Sequence, residues 1–332
     1  MAFSVRNTDV RSVCSVWSNK TAQGIIREQQ KRGRFMELRV LKYFLMAARE
    51  ENITKAAHLL HVTQPTLSRQ LMQLEEELGV KLFERSRHKI ILTEDGMLLK
   101  RRAQEIITLA EKTEREFVRR EGELVGEVSI GSGELKSSRF LGEAVAAFQK
   151  KYPMVRFRIY SGDSDNIKEQ IEQGLLDFGL LMEPVDISKY EFIQIPVQEE
   201  WGILVHEDSP LAQKESVQPE DLISCPLLIG QRELVHQQVR NWFGSLSEEM
   251  NTAANGNLQY NIAMLVRSKA GTAVTIRLDC QYDHVRFVPL SPSLRSNTVL
   301  VWKKVQPFSQ AATAFIEFFK EFVKNYLSDK EE

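Results

Sequence analysis

Cysteine is scarce in this chain: Cys14, Cys225 and Cys280 are the only three, odd in number and far apart. They build no disulfide framework, and without a Cys-x-x-Cys pair or a Cys/His cluster they offer no zinc site. Reduced thiols are the expectation. Long apolar runs are also missing, since no stretch approaches the roughly 18 residues that a membrane helix needs. The opening segment, MAFSVRNTDVRSVCSVWSNK, lacks the continuous apolar core of a secretory signal. The expected location is therefore the cytoplasm, with no membrane partner. Neither sign of charge is in excess: Lys+Arg 44 against Asp+Glu 45 leaves a net charge of -1. Any surface for nucleic acid must then be local, with compensating acid elsewhere. Catalytic signatures are absent too. There is no Gly-x-Ser-x-Gly elbow, no P-loop, no dinucleotide-binding glycine fingerprint and no metal-ligand spacing. His206, His236 and His284 stand singly, as structural histidines do. The expectation is no catalytic activity, no metal and no cofactor.

What is present fits two or three domains. The chain has 332 residues, 42% apolar and 27% charged, enough to build ordinary globular cores. Residues 1–35 show no sustained periodicity and end in the basic run Lys31 to Arg34. They are expected to be a disordered arm, or translation from a start codon placed too far upstream. A phosphate-touching arm is the competing reading, but short charge runs are mostly solvated. From Met36 the pattern turns amphipathic, with Leu38, Leu41, Phe44, Leu45 and Ala48 on one helical face. Thr54 is a candidate N-cap for a short second helix, KAAHLL. After the tight connection His61-Val62-Thr63, Pro65 suits the first turn of a third helix, which buries Leu67, Leu71, Leu74 and Leu78 and stops at Gly79. Two helices at this spacing make a helix-turn-helix. ERSRHKIIL, residues 84–92, reads as a β-wing, closing a domain over 36–92.

Thr93 caps a long helix over 93–122, with Glu94 and Asp95 suited to its positive end. Leu99, Ala103, Ile106, Ala110, Thr113 and Phe117 recur along it at steps of four and three, as in a coiled-coil seam. Such a seam pairs two chains. From 123 to 332 strands and helices alternate, which predicts α/β architecture with mostly parallel sheets. About 200 residues suffice for two lobes and a cleft. Lobe I is expected at about 123–196 and 292–332, and lobe II at about 197–291. Met46, Met72, Met97 and Met264, with Phe315, Phe318, Phe319 and Phe322, read as core or interface packing.

With Leu67, Leu71 and Leu74 turned inward, the third helix offers Pro65, Arg69 and Gln73 outward, flanked by Gln64, Thr66 and Ser68. Arg pairs bidentately with guanine, Gln with adenine, and small hydroxyls reach phosphate or base. Taken singly these are ordinary surface residues. After a tight turn and before a basic wing, they point to double-stranded DNA. Arg85, Arg87, His88 and Lys89 of the wing suit phosphates. Glu75, Glu76 and Glu77 would repel DNA and should point away from it.

Ala56-Ala57, Leu60, Thr63 to Arg69, Leu74-Glu75, Leu78-Gly79, Leu82-Phe83, Arg85 and Leu92 to Gly96 together resemble the N-terminal signature of LysR-type transcriptional regulators, and the likeness runs from about Met36 to Leu327. The resemblance implies a winged helix-turn-helix, a dimerising linker helix and an effector domain like the type 2 periplasmic binding proteins. It also implies that Gln64, Pro65, Thr66, Ser68, Arg69 and Arg85 approach DNA. Members commonly form tetramers of two dimers, bend DNA and answer to a small co-inducer; RNA polymerase is a further expected partner. Gly174 to Leu180 matches the family's glycine-leucine-aspartate strand motif, and Ser209-Pro210-Leu211-Ala212 a segment of the second lobe. Where the family often has two glycines near the end of the cleft helix, Lys269 stands at the first and Gly271 at the second.

Ligands of open α/β sheets sit at the carboxyl ends of strands and near helix N-termini. That rule nominates Gly133, Glu134, Ser161, Gly162 and Ser164 in lobe I, and Trp201, Asn257 and Asn261 in lobe II. Helix capping is the competing reading for the serines and asparagines. Glu134 either caps the next helix or counters a cation on the ligand, with capping favoured. The functional expectation is a sequence-specific regulator in which a small molecule between the lobes alters the spacing of paired DNA-binding heads. An enzyme built on the two-lobed domain has no motif to support it. A solute-binding protein leaves residues 36–92 unexplained, and a purely architectural DNA binder has no use for two lobes.

Overall fold

Residues 36–85, 89–116 and 123–328 are described in the computed structural model, with Arg85, Arg115 and Glu116 described by their backbone alone. The expectations for residues 1–35, Arg87, His88 and Phe117 lie outside the described residues. Contacts divide the chain into one unit ending at Thr108 and a second beginning at Leu109.

The first unit opens with α1 (Leu38–Glu50), α2 (Ile53–Leu59) and α3 (Gln64–Leu78). Leu41, Phe44 and Ala47 of α1 meet Ala56 and Ala57 of α2 and Leu67, Leu71 and Leu74 of α3 in one buried cluster. The buried stripe of α1 is rotated from the expected one: Leu38 is exposed, and Ala47 rather than Ala48 is buried. Leu78 is also exposed, because α3 has outrun its partners by its last turn. The cap of α2 is Asn52, whose side chain accepts the Lys55 N–H at 3.0 Å, and not Thr54, which lies inside the helix. Gly79 takes φ 71 at the end of α3, the left-handed conformation that ends helices. β1 (Phe83–Arg85) and β2 (Ile90–Leu92) then pair antiparallel as the wing. Thr93 caps α4 (Glu94–Glu116) as expected, accepting the Gly96 N–H at 3.0 Å.

The second unit holds two sheets. In lobe I, β3 (Gly126–Ser132), β4 (Val155–Ser161), β5 (Phe178–Met182), β6 (Tyr190–Gln194) and β13 (Thr298–Lys303) run in the order β4-β3-β5-β13-β6. The helices α5 (Ser138–Lys151) and α6 (Ser164–Glu172) join the first three strands, and the terminal α9 (Gln310–Ser328) returns to the same lobe. Phe315 and Phe319 of α9 are fully buried among Phe140, Phe148 and Phe178, so the aromatic stripe is core, as expected. In contrast, Met72 and Met97 are exposed. Lobe II contains β7 (Glu199–His206), β8 (Pro226–Gly230), β9 (Asn251–Gly256), β10 (Thr272–Ile276) and β11 (Val285–Pro289), ordered β11-β7-β10-β8-β9, with α7 (Glu233–Phe243) and α8 (Gln259–Arg267).

Neither sheet is mostly parallel. β3 pairs parallel with β4 and β5, but β13 runs antiparallel to both its neighbours, and β7 is antiparallel to β10 and β11. The chain crosses between lobes twice, and the strands that follow each crossing enter their sheet from the opposite end. The short β12 (Arg295–Ser296) still pairs with β7, so the return crossing comes just after Ser296, a few residues beyond the expected boundary.

Candidate functional site

Two surfaces emerge from this scaffold, one on each unit. On the first, Thr63 begins α3 and its hydroxyl lies 2.8 Å from that of Thr66, while Gln64 Nε2 donates to Ser68 Oγ at 2.8 Å. These bonds fix the rotamers of side chains that the sequence nominates for base reading. Gln64, Pro65, Thr66 and Arg69 are exposed and Ser68 is half-buried, all on the side away from Leu67 and Leu71. Arg69 makes no hydrogen bond or ion pair among the described residues, which leaves its guanidinium available. Gln73 is partly committed, donating to Glu77 Oε1 at 2.8 Å. Lys89 pairs with Glu51 at 3.3 Å, but both are largely exposed, and such a pair yields readily to a phosphate. Arg39, which the sequence reading passed over, lines the same hollow as Thr66, Arg69 and Gln73.

Glu75 turns away from that face, as expected, and does more than avoid it. Its carboxylate accepts the Leu82 N–H at 2.9 Å and the Phe83 N–H at 3.2 Å, and binds Lys81 at 2.9 Å. The wing is thereby pinned to α3. Burial resists ionisation of Glu75, but the Lys81 ammonium and the two backbone N–H groups outweigh it and hold the carboxyl below its ordinary value.

The expected seam of α4 is only partly free. Ala103 is fully buried and Leu99 packs beside it against the helix-turn-helix core, joined by Ile107. Ala110 is half-buried, and Thr113 is exposed with its hydroxyl donated to Leu109 O. The exposed apolar stripe is Leu98, Ile106 and Leu109, at 53%, 37% and 43% exposure. It lies about one residue, or 100°, around the helix from the expected seam, sharing Ile106 with it. The periodicity was read correctly as a buried stripe, but part of it is buried inside the chain.

On the second unit the two lobes enclose about 870 Å³ of open space, the mouth included. Gly133, Glu134, Gly162, Ser164, Trp201 and Asn257 line it, as nominated. Ser161 borders a different hollow, with Lys136 and Arg139, and Asn261 is exposed on α8 outside the cleft. Strand alternation explains Ser161: it is the last β4 residue, and the chain turns into the cleft only at Gly162. Ser164 is not the cap of α6; Asp163 is, accepting the N–H groups of Asp165 and Asn166 through Oδ1. Trp201 is nearly fully buried, its indole N–H donated to Ser296 Oγ at 3.0 Å, so it forms floor rather than a free donor. Glu134 does cap a helix, but not the next one: its Oε2 accepts the N–H of Gln259, the first residue of α8 in the other lobe.

Further links cross the cleft. Asp163 Oδ2 accepts from Gln231 Nε2 at 3.1 Å, and Arg232 Nη2 donates to Pro184 O at 3.3 Å. Gln231 and Arg232 were missed, although they follow the carboxyl end of β8 and the strand-end rule would have found them. Beneath the cleft loop, the fully buried Glu199 accepts from the N–H groups of Lys136 and Ser137 and from the Thr298 hydroxyl. This fixes the segment from Gly133 to Ser137 at the point where the chain crosses between lobes.

The glycine-leucine-aspartate motif has a structural reason. Gly174 takes φ 73, which places the Asp177 carboxylate in the interior. There Asp177 Oδ1 meets Lys112 Nζ of α4 at 2.8 Å, while its Oδ2 accepts from Ser129 N at 2.7 Å and Ser129 Oγ at 2.6 Å.

No cluster of potential metal ligands occurs among the described residues, and none of their helices is long and apolar enough to cross a membrane. Cys225 and Cys280 are unpaired.

Comparison with known proteins agrees with both surfaces. Residues 38–97 match the bacterial regulatory helix-turn-helix protein, lysR family, and residues 121–324 match the LysR substrate binding domain. The HTH-type transcriptional regulator BsdA of Bacillus subtilis (strain 168) is 28% identical over 296 residues, covering 86% of this chain and 100% of that protein. The hydrogen peroxide-inducible genes activator of Pectobacterium carotovorum subsp. carotovorum is 24% identical, covering 88% and 98%. Among solved structures, CbnR, a LysR family transcriptional regulator, superposes with a TM-score of 0.70 at 23% identity over 87% of this chain and 99% of that one. Full-length CbnR complexed with its target DNA gives 0.69. With one family covering the helix-turn-helix and the other more than half the chain, the protein belongs to the LysR family of DNA-binding transcription regulators and is a regulator rather than an enzyme.

Proposed function

We propose that the first turns of α3 enter the major groove of an operator, where Gln64, Thr66, Ser68 and Arg69 read base edges while Pro65 fits the groove wall. Gln73 sits at the edge of this footprint, and Arg85, Arg87 and Lys89 of the wing bind phosphates. The observation that carries this is the division of α3: Leu67, Leu71 and Leu74 are buried, while the opposite side shows an unengaged arginine and a bonded Gln64–Ser68 pair. The CbnR complex with target DNA supports the groove-binding use of this fold. Two chains pair through α4, using the exposed Leu98, Ile106 and Leu109 stripe; tetramers and contact with RNA polymerase complete the proposed assembly. A small molecule binds between the lobes and shifts an equilibrium between oligomer geometries. No cofactor is needed.

The test is a pair of substitutions assayed on a set of operator variants. Arg69→Ala relaxes base preference at one position, at a cost of roughly 1–3 kcal/mol on the preferred sequence. Arg85→Ala weakens binding evenly across the set and lowers the salt slope by about 1. Equal losses on every sequence for both variants contradict the assignment.

A further inference from the structure

We propose that the cleft takes a small organic carboxylate, and that Glu134 is a built-in competitor for the same seat. This rests on reading the cleft as the effector site.

The argument starts at α8. The residue before it, Leu258, has no side chain that can cap, so its first turn finds no acceptor in its own segment. The acceptor comes from the other lobe, through Glu134 Oε2 on the Gln259 N–H. The ligand-free cleft therefore already holds a carboxylate on a helix N-terminus, where exposed N–H groups and the helix dipole favour an anion. That carboxylate belongs to an exposed side chain on a loop, so it can leave at little cost.

Arg232 supplies the independent observation. It lines the same cavity, and its side chain is only 10% exposed. Its Nε is buried with no hydrogen-bond partner among the described residues, the nearest carboxylate oxygen, Asp165 Oδ2, standing 3.6 Å away. A desolvated guanidinium edge with an open N–H calls for an oxyanion. Met182, Ile229, Val235 and Ile262 give the cavity an apolar wall suited to a short hydrocarbon body.

The incoming carboxylate takes the Gln259 N–H and releases Glu134. One link between the lobes is thus exchanged for a link through the ligand, while the Asp163–Gln231 bond holds the cleft edge. Glu134 thereby keeps the empty cleft latched and sets the concentration at which ligand replaces it.

The test uses the full chain with sodium acetate, butyrate and benzoate, each beside its matching primary amide and primary amine, by titration calorimetry. Three proteins are compared: wild type, Glu134→Gln and Gly133→Phe. A Cβ at Gly133 meets nothing closer than Leu135 Cγ at 3.6 Å, so the backbone tolerates the bulk at this cleft-lining position. Melting curves without ligand check that both variants fold. The expected result is carboxylate binding without amide or amine binding. Affinity rises about tenfold in Glu134→Gln, as removal of a charged competitor at a helix end implies, and falls away in Gly133→Phe. Amines that bind wild type and weaken in Glu134→Gln overturn the proposal, and if Gly133→Phe blocks them the cleft reading survives. Carboxylate affinity that is unchanged or lower in Glu134→Gln but lost in Gly133→Phe has the same consequence. Carboxylate binding that neither variant alters overturns both readings. No carboxylate binding to wild type or Glu134→Gln overturns the proposal.

Discussion

Lys112→Met removes the cation from the most enclosed ion pair in the second unit and should cost it about 3–5 kcal/mol, the range for breaking one side of a buried pair. The size follows from what is left behind. Lys112 and Asp177 are 6% and 3% exposed, and the ammonium is shared by Asp177 Oδ1 at 2.8 Å, Gly174 O at 3.0 Å and Ser129 Oγ at 3.3 Å. Methionine fills a similar volume, so the loss is electrostatic: a desolvated carboxylate keeps its Ser129 donors but loses its counter-charge. Urea unfolding followed by tryptophan fluorescence measures it, because Trp201, Trp242 and Trp302 all lie beyond Leu109. Asp177→Asn should cost a similar amount, and the double variant much less than the sum, with a coupling of at least about 2 kcal/mol. Additive losses, or a single loss below about 1 kcal/mol, would refute the claim that these two groups share one desolvated site. The pair also matters for what α4 does. That helix is continuous from Glu94 to Glu116, and its Lys112 is bound where β3 and β5 begin, the strands whose far ends reach Gly133 and Met182 of the cleft.

The helix-turn-helix was legible because its signals are local. A capping threonine, a proline in the first turn, leucines at helical spacing and a closing glycine all fall within Thr63 to Gly79, and each acts on neighbours a few residues away. The same locality explains Thr93. The misreadings share the opposite cause. Asn52 and Thr54 are both competent caps, and only packing of α2 decides between them. The α4 stripe divides between core and surface because the core it meets lies up to about sixty residues earlier in the chain. β9, Asn251–Gly256, carries no strand-forming residue type and is a strand through pairing with β8. In the cleft, Glu134 reaches Gln259 across 125 positions, and Asp163 reaches Gln231 across 68. Periodicity carries no record of such pairings. The strand-end rule did place Gly133, Glu134, Gly162, Ser164, Trp201 and Asn257 on the wall, and it failed at Asn261, whose helical position turns it outward.

Two further outcomes follow from backbone and charge. Glu75 has its carboxyl held below the ordinary 4.5, so the tie between wing and α3 is complete above that pH and is lost as pH falls through the lowered value. Melting temperature against pH should therefore fall more steeply below about pH 4.5 in wild type than in Glu75→Gln; parallel curves would mean that the carboxylate does not stabilise the wing. Lys269 poses the opposite question, because a residue the family often fills with glycine is here a lysine at φ 60. An L-residue in that region costs about 1–2 kcal/mol, which glycine avoids while losing more chain entropy. Lysine gains in return only an exposed bond to Asp208 at 2.9 Å, with both partners more than half exposed. Lys269→Gly should accordingly stabilise the second unit by about 0.5–1 kcal/mol in the same urea experiment. Lys269→Ala separates the two contributions, since it removes the ammonium and keeps the strain, and should be neutral or slightly destabilising. A Lys269→Gly variant less stable than Lys269→Ala would show that the Asp208 contact, and not the backbone, governs this turn.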